Sequence, residues 1–195
     1  LWQSDYHGDC QIKNHGSDFV QKRQLNEYPI FVRNNKAIPV IKKVLSKTKV
    51  TMDKHNYPRN PFGFVTKDRG SSKKTEKSIR LLSSQGFGYI DRDSVLKNIN
   101  LIDQYKITIG RLVPSNGELD INPLDGYRVI TNTKILAPGE ICTESYLVIA
   151  AFHSEGEALN FDKFIKLKFP RFLLRQSISS VNVTKECFAM VPYED

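Results

Sequence analysis

Side chains able to carry chemistry are present in this chain but thinly spread. The four histidines, His7, His15, His55 and His153, share no spacing that a metal site or a general base would need. The three cysteines, Cys10, Cys142 and Cys187, are odd in number and far apart, with no CxxC pair. That pattern suits reduced thiols in a cytoplasmic protein better than a disulfide framework or a zinc site. Glu144 lies in an apolar, β-branched stretch with no matching carboxylate. A lone glutamate there is an internal hydrogen-bond acceptor, or an acceptor for the amino group of cytosine, before it is a catalyst.

The chemistry on offer is cationic. The net charge of +8 is unevenly placed: residues 1–48 contribute +4, residues 49–80 contribute +6, and residues 81–195 contribute −2. The densest part runs from Arg59 to Arg80 and includes Lys67, Arg69, Lys73 and Lys74. Gly70, Ser71 and Ser72 interrupt it and resist regular structure. A charge run of this kind is by default a solvated loop. A flexible basic loop between two strands is also a common way to reach a phosphate backbone, and a locally basic surface attracts polyanions, nucleic acid first. No basic amphipathic helix is evident in this segment, which argues against a membrane partner. No apolar stretch is long enough to span a bilayer.

The elements that must hold these cations follow from periodicity. Ile141–Phe152 reads as one strand, apolar on both sides at its far end. A long helix is expected to follow, capped by Ser154 with Glu157 and running to Leu174, with Phe161, Phe164, Ile165, Phe169 and Phe172 on its inner side. Pro170 should kink or break it. Lys168, Arg171 and Arg175 share a stripe if the helix is continuous. Upstream, Asp18–Arg23 and Tyr28–Arg33 are short strand candidates, and Asn35 should cap a helix carrying Ile38, Ile41, Val44 and Leu45. Phe62–Thr66, Ile79–Leu82, Gly88–Ile90, Tyr105–Val113, Tyr127–Thr131 and Thr133–Leu136 complete the expected strands, with a short helix over Ser94–Asn98 and a late strand over Val181–Val183 or Cys187–Val191. The fold class is α+β: a mixed central sheet backed by the long C-terminal helix. Residues 1–48 form a linking segment with a helix, and 49–195 a recognition domain.

Taken together, NPFGFVT (60–66), GYIDR (88–92), KITIGR (106–111), ICTESYLVIAAF (141–152), EGEALNF with KFIKLKFPRFLL (155–174) and FAMVPYED (188–195) resemble the C-terminal part of adenine-specific DNA methyltransferases of bacterial restriction–modification systems. The resemblance covers about residue 28 onward. The chain departs from that pattern at Pro170, where an aromatic residue is usual, at Ser177–Ser180, where a Thr-Gln pair is usual, and in its closing acidic motif. Membership would imply a target-recognition unit that follows the catalytic domain in one polypeptide and reads double-stranded DNA. The Asn/Asp-Pro-Pro-Tyr motif of such enzymes does not occur here, nor does a nuclease carboxylate pair with Glu-x-Lys. The resemblance therefore assigns S-adenosylmethionine, and Mg2+ if the polypeptide also cleaves, to a catalytic part outside this sequence; none is expected to bind here. A start at Leu1 fits a piece of a longer polypeptide.

On that reading Lys67, Arg69, Lys73 and Lys74 are the candidate phosphate contacts, with Arg171 and Arg175 behind them. Arg59, Asn60, Arg111 and Glu144 are the candidate base readers, because arginine suits guanine, asparagine adenine, and a carboxylate the cytosine amino group. Two other readings stay open: a self-sufficient metal-dependent nuclease with a degenerate motif, and a module that docks on a partner protein.

Overall fold

Alternation along one pair of strands organises the molecule. In the computed structural model, which describes residues 8–14, 16–113, 121–122, 126–127 and 129–193, ten short strands and three helices are found among the described residues. In chain order they are β1 (Cys10–Lys13), β2 (Val20–Arg23), α1 (Ile38–Leu45), β3 (Ser78–Ser83), β4 (Gly86–Asp91), β5 (Tyr105–Gly110), β6 (Ile121–Asn122), β7 (Gly126–Tyr127), β8 (Lys134–Leu136), β9 (Glu140–Cys142), β10 (Tyr146–Phe152), α2 (Glu155–Ile165) and α3 (Lys168–Ser177). β5 is the middle strand of an antiparallel sheet, ordered β10-β5-β8. Its residues alternate between two cores. Ile107 and Ile109, with Leu147 and Ile149 of β10, join α1, α2, α3 and the C-terminal segment in one. Val148 and Leu136 join Phe62, Leu81, Leu82 and Ile141 in the other. This sheet is therefore buried on both faces, which accounts for its nearly continuous apolar sequence. A register shift between Val148 and Ala150 accommodates both cores on one strand.

The second sheet is mixed. β3 pairs antiparallel with β4 and parallel with β9, in the order β4-β3-β9. The ribbons β1–β2 and β6–β7 are separate two-stranded pairs. The fold is thus α+β, as the patterning indicates, with several corrections. The strand expected over Ile141–Phe152 is two strands in different sheets, because the chain leaves β3 and crosses to β5 at Thr143–Ser145. The sheet at the centre is antiparallel, and the mixed one lies against its other side. The expected long helix is two helices of 11 and 10 residues. Its break at Lys166–Leu167 follows from Pro170, which cannot donate to the carbonyl of Lys166 and whose ring would collide with it. In the first turn of a new helix the missing donor costs nothing. The capping box at Ser154 and Glu157 forms as expected.

Three further short elements differ. Phe62–Thr66 is a series of bends, because Phe62 (0% exposed) is an anchor into the second core and its neighbours pair with no strand. Tyr28–Arg33 is irregular; Val32 is buried and the Arg33 amide donates to the Gln176 carbonyl at 3.0 Å. In place of the Ser94–Asn98 helix there is a three-residue 3-10 turn, Arg92–Ser94, capped by Asp91. Val181–Val183 runs beside the end of β5, with Val113 N–H donating to Val181 O and Val183 N–H to Arg111 O, while Lys185–Phe188 is a 3-10 turn. His7, His15 and part of the strand expected over Tyr127–Thr131 lie outside the described residues. Val32, Ala37 and Ile41 share a core with Phe188 and Val191, so the described part of 1–48 packs into the same body as the rest. No helix among the described residues is long and apolar enough to cross a membrane.

Candidate nucleic-acid interface

The crossover Thr143–Ser145 is where the chain passes between sheets, and it gathers candidate residues from distant parts of the sequence. Glu144 sits at its tip. One carboxylate oxygen, Oε2, accepts from Arg59 Nε at 2.9 Å and Nη2 at 2.8 Å. The other, Oε1, accepts from the Thr66 amide and hydroxyl, both at 3.2 Å. The Glu144 amide donates in return to Phe64 O at 2.9 Å. The Thr66 amide, with the Arg59 guanidinium, holds the Glu144 carboxyl below its ordinary value. This carboxylate fastens the bends of 59–66 to the sheet. Both of its oxygens thus accept within the protein, and Glu144 orients Arg59.

Of the remaining candidate readers, Asn60 follows Arg59 in the chain and Arg111 reaches this turn through its backbone. Asn60 has φ of +59°, a left-handed conformation that asparagine tolerates, and its Oδ1 is buried without a partner. Thr143 Oγ1 and Ser145 Oγ are also buried and unpartnered. Arg111 comes from the end of β5, and its amide donates to Ser145 O at 3.0 Å. Glu144 and Arg59, 85 positions apart in sequence, and the Arg111 backbone therefore meet at one turn, with Asn60 next to Arg59 in the chain.

The cationic loop leaves from the same place. Arg69 folds back, its Nη1 donating to the carbonyls of Thr66 and, at 3.0 Å, Asp68. Half-buried and so engaged, Arg69 braces the loop rather than extending from it. Lys67, Lys73, Lys74 and Lys77 are exposed. The loop is seated on β4: Ser71 and Tyr89 exchange hydrogen bonds of 2.7 and 2.8 Å. Two glycines make that approach possible. A Cβ on Gly88 would lie 2.0 Å from the Arg69 carbonyl oxygen, and one on Gly70, at φ of +73°, would lie 2.9 Å from Tyr89 N. Nearby, Arg80 pairs with Glu140 and stacks on Phe87, whose ring is 44% exposed, at 3.9 Å from guanidinium carbon to centroid.

Arg171 and Arg175 lie elsewhere. α3 packs on α2 and on the Lys185–Phe188 turn as part of the first core, whereas the basic loop is attached to the sheet of the second. Both arginines are half-buried, and Arg171 Nε is enclosed without a partner. The structure therefore brings the base-reading candidates and the loop together and leaves the helix arginines on a different element. Sequence reasoning missed Thr66, Gly70 and Gly88 as the residues that fix the loop. The Gly-Phe-Gly of 86–88 was the available signal, since a glycine within a strand marks a close backbone approach. It also missed the burial of Lys106 (0% exposed). Among the described residues no group of His, Cys, Asp or Glu could hold a metal ion. Comparison with protein-family models, with curated protein sequences and with solved structures returned no match.

Proposed function

We propose that this chain is a sequence-reading DNA-binding unit of a restriction–modification enzyme, positioning a duplex for adenine methylation by a catalytic domain of the same polypeptide. The observation that supports it most is the meeting of the Arg59 side chain and the Arg111 backbone at the Thr143–Ser145 turn, which leads through Thr66 into a lysine-bearing loop. Lysines at the loop tip grip phosphates without regard to sequence, and arginine or asparagine side chains beside them reach base edges. Lys67, Lys73, Lys74 and Lys77 are the phosphate contacts on this reading. Arg59, oriented by Glu144, is the foremost base reader.

The test is duplex binding by fluorescence anisotropy across salt. Four neutralised phosphates give a slope of about −3.6 in log K against log[salt], roughly a hundredfold loss of affinity between low and physiological salt. Lys73→Ala with Lys74→Ala should lower that slope by about 2 and weaken binding alike on all sequences. Flat salt dependence, or a double variant that binds like the parent, would remove the loop from the interface. EDTA-sensitive nicking by the chain alone would favour the nuclease reading instead.

A further inference from the structure

Away from the basic loop, a cleft of about 1010 Å3 opens between α1, the end of β10, α2 and the start of α3. Its floor and one wall are aromatic. Phe152 and Phe161 lie 5.3 Å apart, Phe161 and Phe164 6.1 Å, and Phe161 and Tyr193 6.3 Å between ring centroids. Phe169, in the first turn of α3, also lines it and is 45% exposed. The opposite wall is α1. Ile41 points into the core at 0% exposure, while Val40, 42% exposed, and Val44 line the cleft. Lys43 on α1 lines it too, as does Lys47 in the turn that follows α1. Val44 also packs against the first core, whereas Val40 stays exposed.

Charge narrows the choice of occupant. Neither Lys43 nor Lys47 is ion-paired among the described residues. The carboxylate that lines the cleft, Glu157, is committed to capping α2 through the Ser154 amide at 3.1 Å and hydroxyl at 2.8 Å. Among the described residues the uncommitted charge of the rim is therefore positive, carried by Lys43 on α1 and Lys47 in the turn after it. An opposing helix with carboxylates along one edge would complement it. The volume stands at the top of the range for small-ligand sites, and the cleft runs along α2 from Glu157 to Phe164. An amphipathic helix laying apolar side chains at i, i+3, i+4 and i+7 into an aromatic groove fits those dimensions.

We propose that this groove is a docking site for an acidic amphipathic helix of a partner protein. The proposal does not rest on DNA binding, because the groove and the loop are built from different elements. It is tested by titrating the isotope-labelled protein with a synthetic three-turn helical peptide that carries leucines on one face and paired glutamates beside it. A twin peptide has lysines in place of the glutamates. Amide shifts should concentrate on α1, α2 and the Phe169 turn, and the acidic peptide should bind about tenfold more tightly than its twin. Lys43→Glu with Lys47→Glu, both at the rim, should reverse that preference. Val40→Glu, at a position already exposed, should abolish binding while leaving the spectrum dispersed. Equal affinity for the twins, shifts outside the groove, or no binding of the acidic peptide would overturn the proposal. So would concentration-dependent dimerisation of the free protein that Val40→Glu abolishes, since the groove would then serve a second copy.

Discussion

Replacing Lys106 tests how β5 is tied to the segments that border the second core. Its side chain points from β5 toward the second core and is fully buried. The ammonium donates to the carbonyls of Leu101, Ile102 and Ala137 at 3.0, 3.1 and 3.2 Å, using all three of its protons. Burial lowers its pKa from 10.5 to about 8. Burial also pushes the neighbouring Cys142 thiol from 9.0 up to about 12, with the Lys106 charge opposing that rise. The two shifts act on stability with opposite sign. Between pH 8 and 10.5 the unfolded chain holds a proton on Lys106 that the folded chain has released, so stability rises with pH. Above pH 9 the folded chain keeps a thiol proton that the unfolded chain loses, so stability falls. At about 1.4 kcal/mol per pH unit for each group, these two predict a rise of roughly 1.4 kcal/mol from pH 8 to 9. A plateau to about pH 10.5 and a fall of about 2 kcal/mol by pH 12 should follow. Urea unfolding across this range measures the profile. Cys142→Ala should extend the rise to about pH 10.5, and Lys106→Met should remove it. A parent protein whose stability is flat from pH 8 to 9, or a Lys106→Met profile that still rises there, would refute the argument.

Other substitutions address the interface itself. Gly88→Ala places a Cβ against the Arg69 carbonyl. It should cost about 1–3 kcal/mol in unfolding free energy, speed tryptic cleavage after Lys73 and Lys74, and weaken duplex binding. Glu144→Gln keeps an acceptor for Thr66 but loses the charge that orients Arg59. Because the Arg59 partner is largely exposed, the stability cost should stay below about 1 kcal/mol, while discrimination between DNA sequences falls. The folded Glu144 carboxyl is depressed, so its stabilising contribution is present above its unfolded pKa and lost as pH falls through the folded one. The glutamine variant should lack that part of the acid limb in a pH-dependent denaturation series. Arg111→Ala should relax preference at a single base pair by about 1–3 kcal/mol in a binding-site selection, with little change in salt slope.

Local signals in the sequence specify local structure well. The Ser154–Glu157 cap and the β3 and β5 strands were legible, because each depends on residues within a few positions. What was not legible depends on distance. Nothing within ICTESYLVIAAF marks the point where the chain changes sheets, since Thr143 and Ser145 are as compatible with a strand as their neighbours. The crossover is imposed by β3 on one side and β5 on the other. Glu144 illustrates the same limit. In sequence it has no partner, yet Arg59 and Thr66, 85 and 78 positions away, complete its coordination. The aromatic face expected to lie wholly against a sheet is likewise divided, because the break before Pro170 turns Phe169 outward while Phe161 and Ile165 stay buried.

That division shapes the cleft. Had the helix continued, Phe169 would have followed Phe161 and Ile165 along one buried stripe, and the wall opposite Val40 would be closed. Starting α3 at Lys168 instead leaves Phe169 lining the cleft beside α1. On the proposed reading, Pro170 stands where the methyltransferases that this chain was read as resembling carry an aromatic residue, so the groove would follow from a feature in which the chain departs from their pattern. Pro170→Phe restores the donor and removes the clash with the Lys166 carbonyl. It should lengthen α2 toward α3, shorten or close the groove, and abolish binding of the acidic peptide while duplex affinity is unchanged. Equal peptide affinity in Pro170→Phe, measured on a variant whose spectrum shows a continuous helix through Leu167, would mean that the helix break is not what opens the cleft.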